Sequence, residues 1–154
     1  MYTIGEVSQM FDIPVSTLRY YDKEGLLPNL KRESGARKFS ESDLRSLRLV
    51  ECLKMSGLEI KDIKLFVQWC EEGASSYEKR RNLFAKQKAA VEAEIESKLQ
   101  VLDMLRFKLW YYEQAIAEGS EDRLLSMLPD KLPADVQRLY DHGLGKTRGT
   151  DGKK

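Results

Sequence analysis

The feature that most limits what this chain can fold into is an apolar repeat running from about residue 77 to residue 119. With position a at Lys88, Ile95, Leu102, Leu109 and Ile116, and position d at Phe84, Val91, Lys98, Leu105 and Tyr112, only two lysines fall off the pattern. A seam kept over more than four heptads specifies one long helix with an apolar stripe. At ~1.5 Å per residue such a helix extends roughly 60 Å, and alone it would leave that stripe in water. The simplest cover is the same stretch of a second copy. Phe84, Val91, Ile95, Leu102, Leu105, Leu109, Tyr112 and Ile116 then form the seam of a homodimer. The alternative is an intramolecular helical hairpin, against which stands the lack of any other stretch of comparable length. Lys88 and Lys98 would restrict register and partner choice at some cost in stability.

Two much shorter helices come first. Thr3 and Glu6 have the spacing of a capping box, and Ile4, Val7 and Phe11 then fall on one stripe. After Asp12, Ile13 and Pro14, the run Val15 to Leu27 places Ser16, Arg19, Tyr20 and Lys23 along one face and Leu18 and Tyr21 on the other, closing at Gly25. A polar reading face with an apolar back, joined by a tight turn to a second helix, describes a helix-turn-helix. Leu26-Leu27-Pro28 leads into NLKRESGARKF, where Glu33-Ser34-Gly35 is a turn between short basic flanks, read as a two-stranded wing.

Ser40 and Asp43 repeat the capping-box pattern and open a helix to about Ser56, with Leu47, Leu49, Val50 and Leu53 facing the core. Gly57 stops it. The next helix, Glu59 to Cys70, carries Ile60, Ile63, Val67 and Cys70 on one stripe and starts from a weak N-cap. Beyond Gly119, Glu121 to Leu128 and Pro133 to Tyr140 form short helices, and Gly143 to Lys154 reads as disordered. The division expected is therefore a DNA-binding domain at 1–75, a dimerisation helix at 76–119, a helical extension at 120–142 and a tail at 143–154.

Composition narrows the function. Of 154 residues, 26 are Lys or Arg and 25 are Asp or Glu, so nucleic-acid binding needs a local patch. Lys31, Arg32, Arg37 and Lys38 supply one, the alternative being a solvated loop. No apolar run approaches the ~18–20 residues of a membrane span, and two cysteines are too few for a disulfide framework, so a cytoplasmic protein with reduced thiols and no membrane partner is expected.

TIGEVSQMFDIPVSTLRYYDKEGLLPNLKRESGARKFSESDL and the later SGLEIKDIK resemble the DNA-binding half of the MerR family of bacterial transcription regulators, over about residues 2 to 72. The resemblance rests on Leu18-Arg19-Tyr20-Tyr21, Gly25-Leu26-Leu27-Pro28, and Gly35, Arg37 and Phe39 at the family's spacing. It implies a mainly α fold, a winged helix-turn-helix followed by a long antiparallel coiled-coil dimerisation helix. It also implies double-stranded promoter DNA and RNA polymerase at the promoter as partners, and control by distorting a pseudo-palindromic site. In that setting Ser16, Thr17 and Arg19 reach base edges, and Tyr20, Tyr21, Arg32, Arg37 and Lys38 meet the backbone, so that binding weakens steeply with salt. Tyr21 has an alternative as a core residue.

The response must lie outside that half. No Cys follows Cys70 and the only histidine is His142, so neither a closed metal site nor an iron–sulfur cluster is expected, and no cofactor is implied. Cys52 has Arg48 at i−4 and Arg45 at i−7, and cations beside a thiol raise its reactive thiolate fraction. The bland alternative is a buried small hydrophobe, which is how Cys70 reads. VECLKMSGLEIKDIK, FVQWCEEG and KLWYYEQAIAEG look like the thiol- and aldehyde-responsive branch that includes the NmlR and AdhR regulators, which favours Cys52 as a sensor. Rival readings are a small ligand held by Trp69, Trp110, Tyr111 and Tyr112 at the dimer interface, a sensorless DNA-bending protein, and a coiled-coil module without DNA binding. An enzyme is not expected, since no nucleophile with a base, phosphate loop or carboxylate pair can be placed on one surface.

Overall fold

The computed structural model describes residues 1–145; the expected tail therefore lies largely outside the described residues, and only its first residues, Gly143 to Gly145, can be compared. The chain divides into two units, Met1–Lys88 and Ala89–Lys154.

In the first unit, β1 (Tyr2–Thr3) leads into α1 (Ile4–Phe11), then α2 (Val15–Lys23), β2 (Lys31–Glu33), β3 (Ala36–Phe39), α3 (Glu41–Met55), α4 (Ile60–Glu72) and a 3-10 turn at Gly73–Ser76. Both expected capping boxes are present. The Thr3 side chain accepts from the Glu6 N–H while Glu6 accepts from the Thr3 N–H, and Ser40 and Asp43 repeat the exchange at α3. Between α1 and α2, Asp12 takes a left-handed conformation and the Ser8 hydroxyl donates to the Ile13 carbonyl at 2.6 Å, which fixes the corner. The wing is larger than the two strands expected. It is a three-stranded sheet in the order β1-β3-β2, because Tyr2 and Thr3 pair antiparallel with Phe39 and Lys38. Two residues before a capping box carry too little pattern to read as a strand. At the hairpin tip Ser34 and Gly35 both have positive φ, as a two-residue hairpin loop that follows the sheet's twist requires.

The core of this unit joins Val7 and Ile13 to Leu18, Tyr21, Leu26 and Leu27, Phe39, Leu44, Leu47, Val50, Leu53, Leu58, Ile63 and Phe66. Three expected core residues, Leu49, Val67 and Cys70, are absent from it. Leu49 is 39% exposed, and Cys70 is exposed as well. Both line a surface groove of about 190 Å³ with Leu26, Pro28, Asn29, Ser46, Val67 and Glu71. The edge of an apolar stripe looks the same in sequence whether it faces the core or borders it.

Helix α5 (Tyr77–Glu118) is a single helix of 42 residues. In the second unit its later part meets α6 (Asp122–Met127) and α7 (Ala134–Leu144). Helix α7 continues to Leu144, past the Tyr140 expected, so Gly143 is helical. Phe107, Tyr111, Leu124, Leu132 and Val136 form a small buried cluster, with Trp110, Tyr140 and Leu144 packed on it. Trp110 and Tyr111 thus pack within one chain, which counts against the rival reading that set them in a ligand pocket at the dimer interface. Below this cluster, Asp103 is buried and accepts from His142 Nδ1 at 2.6 Å and Arg106 Nη1 at 2.9 Å, while His142 Nε2 meets Glu96 Oε1 at 2.8 Å. His142 lies above its ordinary pKa because it donates to Glu96 and Asp103. Asp103 lies below its own because His142 and Arg106 donate to it.

The eight expected seam residues all remain at least 36% exposed in the single chain, from Val91 at 36% to Ile116 at 82%. At about 100° per residue, Leu105 and Leu109 lie on the side of α5 away from Phe107 and Tyr111. The helix has two apolar faces, and its own chain covers one.

Candidate nucleic-acid interface

The sequence of α2 sorts its side chains by solvent. Leu18 and Tyr21 are buried, whereas Ser16, Arg19, Tyr20 and Lys23 are exposed and Thr17 is half-buried. Because i, i+3, i+4 and i+7 recur on one helical face, four hydrogen-bonding groups line a single outward stripe. Glu24 continues the chain into Gly25, and Leu26 and Leu27 turn back into the core, which anchors the far end of the helix.

Tyr21 corrects one expectation. Its ring is 1% exposed, and its hydroxyl donates to Glu51 Oε1 at 2.7 Å and accepts from Lys54 Nζ at 2.8 Å, so it is a core tyrosine bonded to α3 and not a backbone contact. Burial raises its pKa, and the Glu51 carboxylate beside it raises it further. The hydroxyl is satisfied without solvent, as a buried phenol needs.

Asp22, one residue further on, holds the wing. Its Oδ2 accepts from Arg37 Nε at 2.7 Å and from Arg32 Nη2 at 2.9 Å. Partial burial pushes this carboxyl up, but the two guanidinium groups outweigh that and hold it below the usual carboxylate range. Arg32 and Arg37 are opposite each other in the β2–β3 register, so one carboxylate ties both strands to α2. Sequence reasoning missed Asp22, because the sheet register that brings the arginines to it joins positions ten and fifteen residues away. Thr3, Ile4, Arg19, Gly35, Ala36, Arg37 and Lys38 line a notch of about 210 Å³ between the start of α1, α2 and the wing. Seven of the eight expected interface residues, Ser16, Thr17, Arg19, Tyr20, Arg32, Arg37 and Lys38, are thus exposed or half-exposed on α2 and the sheet.

A helix with a polar outward stripe, backed by a second helix and flanked by a cationic hairpin, has the parts that dock in a major groove while the hairpin meets flanking phosphates. The family model for MerR HTH family regulatory proteins matches residues 2–68. An HTH-type transcriptional regulator of Haemophilus influenzae is 42% identical over 120 residues, spanning 77% of this chain and 89% of the relative. This chain belongs to the MerR family of transcriptional regulators. AdhR of Bacillus subtilis is 34% identical over 83 residues, 53% of this chain and 59% of AdhR. Among solved structures, HiNmlR, a MerR family regulator lacking the sensor domain and bound to promoter DNA, matches with a TM-score of 0.62 at 42% identity, covering 77% of this chain and 95% of that one. The MerR resemblance, the mainly helical fold, the winged helix-turn-helix and the long following helix are all borne out.

The expected sensing group is arranged differently from its helical spacing. Cys52 is exposed on α3, and so are Arg45 and Arg48, yet the Arg48 guanidinium lies over the Phe11 ring, 5.7 Å from its centroid. Among the described residues Cys52 has no side-chain hydrogen bond, and the groups fastened nearby are its neighbours Glu51 and Lys54, through Tyr21. Groups of three or more His, Cys, Asp or Glu able to hold a metal ion are absent among the described residues. No helix among them is long and apolar enough to cross a membrane.

Proposed function

We propose that this MerR-family regulator acts as a homodimer on double-stranded promoter DNA, each protomer laying α2 in a major groove, and that modification of the Cys52 thiol switches it. The observation that carries the DNA reading is the outward stripe of Ser16, Arg19, Tyr20 and Lys23 beside a wing tied to the same helix through Asp22. A solved relative at 42% identity bound to promoter DNA supports it. The open seam of α5 is the surface on which two copies pair antiparallel, which sets the two reading helices at one separation and makes a pseudo-palindromic site. Where that separation differs from relaxed duplex geometry, binding deforms the promoter and so changes what RNA polymerase meets. In this reading the protein works in the cytoplasm and catalyses no reaction.

The thiol part rests on the exposure of Cys52 and on its place in α3 between Glu51 and Lys54, which bond the reading helix through Tyr21. An adduct there perturbs the segment that buttresses α2. Arg45 and Arg48 supply positive charge on the same helix.

The experiment is transcription from a bound promoter template by wild type, Cys52→Ala and Cys70→Ala, each with and without a small aldehyde or mild oxidant. Since both thiols are exposed, Cys70→Ala separates them. Wild type and Cys70→Ala are expected to respond and Cys52→Ala to stay fixed. Three identical responses on a template that all three bind overturn the thiol switch and leave a sensorless DNA-distorting regulator.

A further inference from the structure

The opening turns of α5 are built into the reading head. Ser76, fully buried, closes the end of α4, its hydroxyl meeting the Gly73 carbonyl at 2.8 Å and the Trp69 carbonyl as well. Arg80 adds a guanidinium at the same point. Its Nε donates to Ser76 Oγ at 2.9 Å and its Nη2 to the Trp69 and Gly73 carbonyls at 3.0 Å each. Such carbonyls are the ones a helix end leaves without intrahelical partners. One turn on, Phe84 meets Phe66 edge to face with ring centroids 5.3 Å apart. A further turn on, Gln87 Nε2 donates to the Ser56 carbonyl at 2.7 Å. A Cβ at Gly57 would lie 2.9 Å from that nitrogen and its φ is +87°, so glycine there gives Gln87 its approach.

Residues 80, 84 and 87 recur at helical spacing and share one face of α5. Contacts at three levels on one face fix both the tilt and the rotation of a helix, whereas one contact leaves a swivel. The end of α3 that receives Gln87 is also the end bonded to the reading helix, through Tyr21 to Glu51 and Lys54. A short hydrogen-bonded path therefore runs from α2 through the last turns of α3 to α5.

We propose that Gln87 is a positioning residue for operator recognition: together with Arg80 it fixes the angle between the reading head and α5, and thereby selects the half-site spacing that the dimer accepts. This rests on the dimeric DNA-binding reading above. Two heads joined through a coiled coil and free to swivel accept several spacings. Fixed heads accept one and make the DNA deform to meet it.

The test uses the full chain and a duplex that wild type selects from a random-sequence pool, then lengthened or shortened by one base pair between half-sites. Affinities are read by fluorescence anisotropy at one salt concentration. Gln87→Met keeps the side-chain length and loses the donor, and Gln87→Glu sets a carboxylate against the Ser56 carbonyl. Both are expected to lower the ratio of best-spacing to shifted-spacing affinity by about threefold to tenfold, the equivalent of one hydrogen bond. Arg80→Lys, which loses the rigid fork, shifts the ratio in the same direction. A wild-type spacing profile in both Gln87 variants overturns the proposal, and so does a uniform loss at all spacings, the mark of a merely structural side chain. If wild type selects no duplex at all, the DNA-binding reading falls instead.

Discussion

The two faces of α5 are made of the same kinds of residue and have opposite fates. On one, Phe107 is 1% and Tyr111 5% exposed beneath α6 and α7; on the other, Leu105 is 53% and Leu109 64% exposed. The covered face carries a buried acid, Asp103, with a histidine and two arginines around it, while the open face is apolar apart from its lysines. The difference teaches how a long helix can serve two partners at once. A face destined for a small extension of the same chain tolerates a polar anchor that fixes register. On the dimeric reading, a face that meets an identical helix works by repetition.

Breaking the open face gives the largest effect. Leu102→Asp with Leu109→Asp removes two seam residues, each worth about 1.5–3 kcal/mol when buried, and adds charge. Sedimentation velocity is expected to show the dimer constant weakened by about a hundredfold or more, with the Phe107 cluster still formed. Breaking the covered face does the reverse. Phe107→Ala leaves a cavity costing about 3–5 kcal/mol, so hydrogen exchange in α6 and α7 accelerates while dimer content holds. If instead the dimer dissociates, the faces are coupled and the division between them fails.

Smaller changes sharpen the contrast. Lys98→Leu repairs one off-pattern seam position and is expected to tighten the dimer by about 1 kcal/mol in denaturant titrations, with no change in α7 protection. The weakest effect is of pH. Since the folded His142 pKa is raised by Glu96 and Asp103, its contribution to docking α7 is complete below about pH 6.5, the unfolded value, and is lost as pH rises through the folded value. The Asp103 pKa is lowered, so its contribution is complete above the unfolded value and is lost as pH falls through the folded one. Protection of α7 therefore peaks between these limits, and His142→Ala removes the alkaline arm and weakens the acid arm, which then rests on Arg106 and Arg138. Equal protection across that range in wild type would show that the apolar cluster alone holds the helix.

Local patterns were the legible ones. The two capping boxes, the corner before α2, the outward stripe of α2 and the α5 repeat each depend on residues a few positions apart, and each folds as its spacing dictates. What escaped depends on long separations. Asp22 meets Arg32 and Arg37 through the sheet register, Gln87 reaches Ser56 across 31 positions, and His142 reaches Asp103 across 39. The same reason explains Leu49 and Cys70, since a stripe's period says which residues share a face and not where the neighbouring element ends; Tyr21 differs, its spacing having placed it beside Leu18 on the buried back while only the resemblance set it on the DNA backbone.

Asp22 also bears on how many ions a DNA complex exchanges. On the DNA-binding reading, Arg32 and Arg37 come to the duplex already sharing one carboxylate, so the pair presents a net single positive charge and not two. Each phosphate fully neutralised contributes about 0.9 to the slope of log affinity against log salt. On that reading the cations outside this cluster, Arg19, Lys23, Lys31 and Lys38, carry most of the counterion release, while the wing's arginines serve first to orient the hairpin on α2 through Asp22.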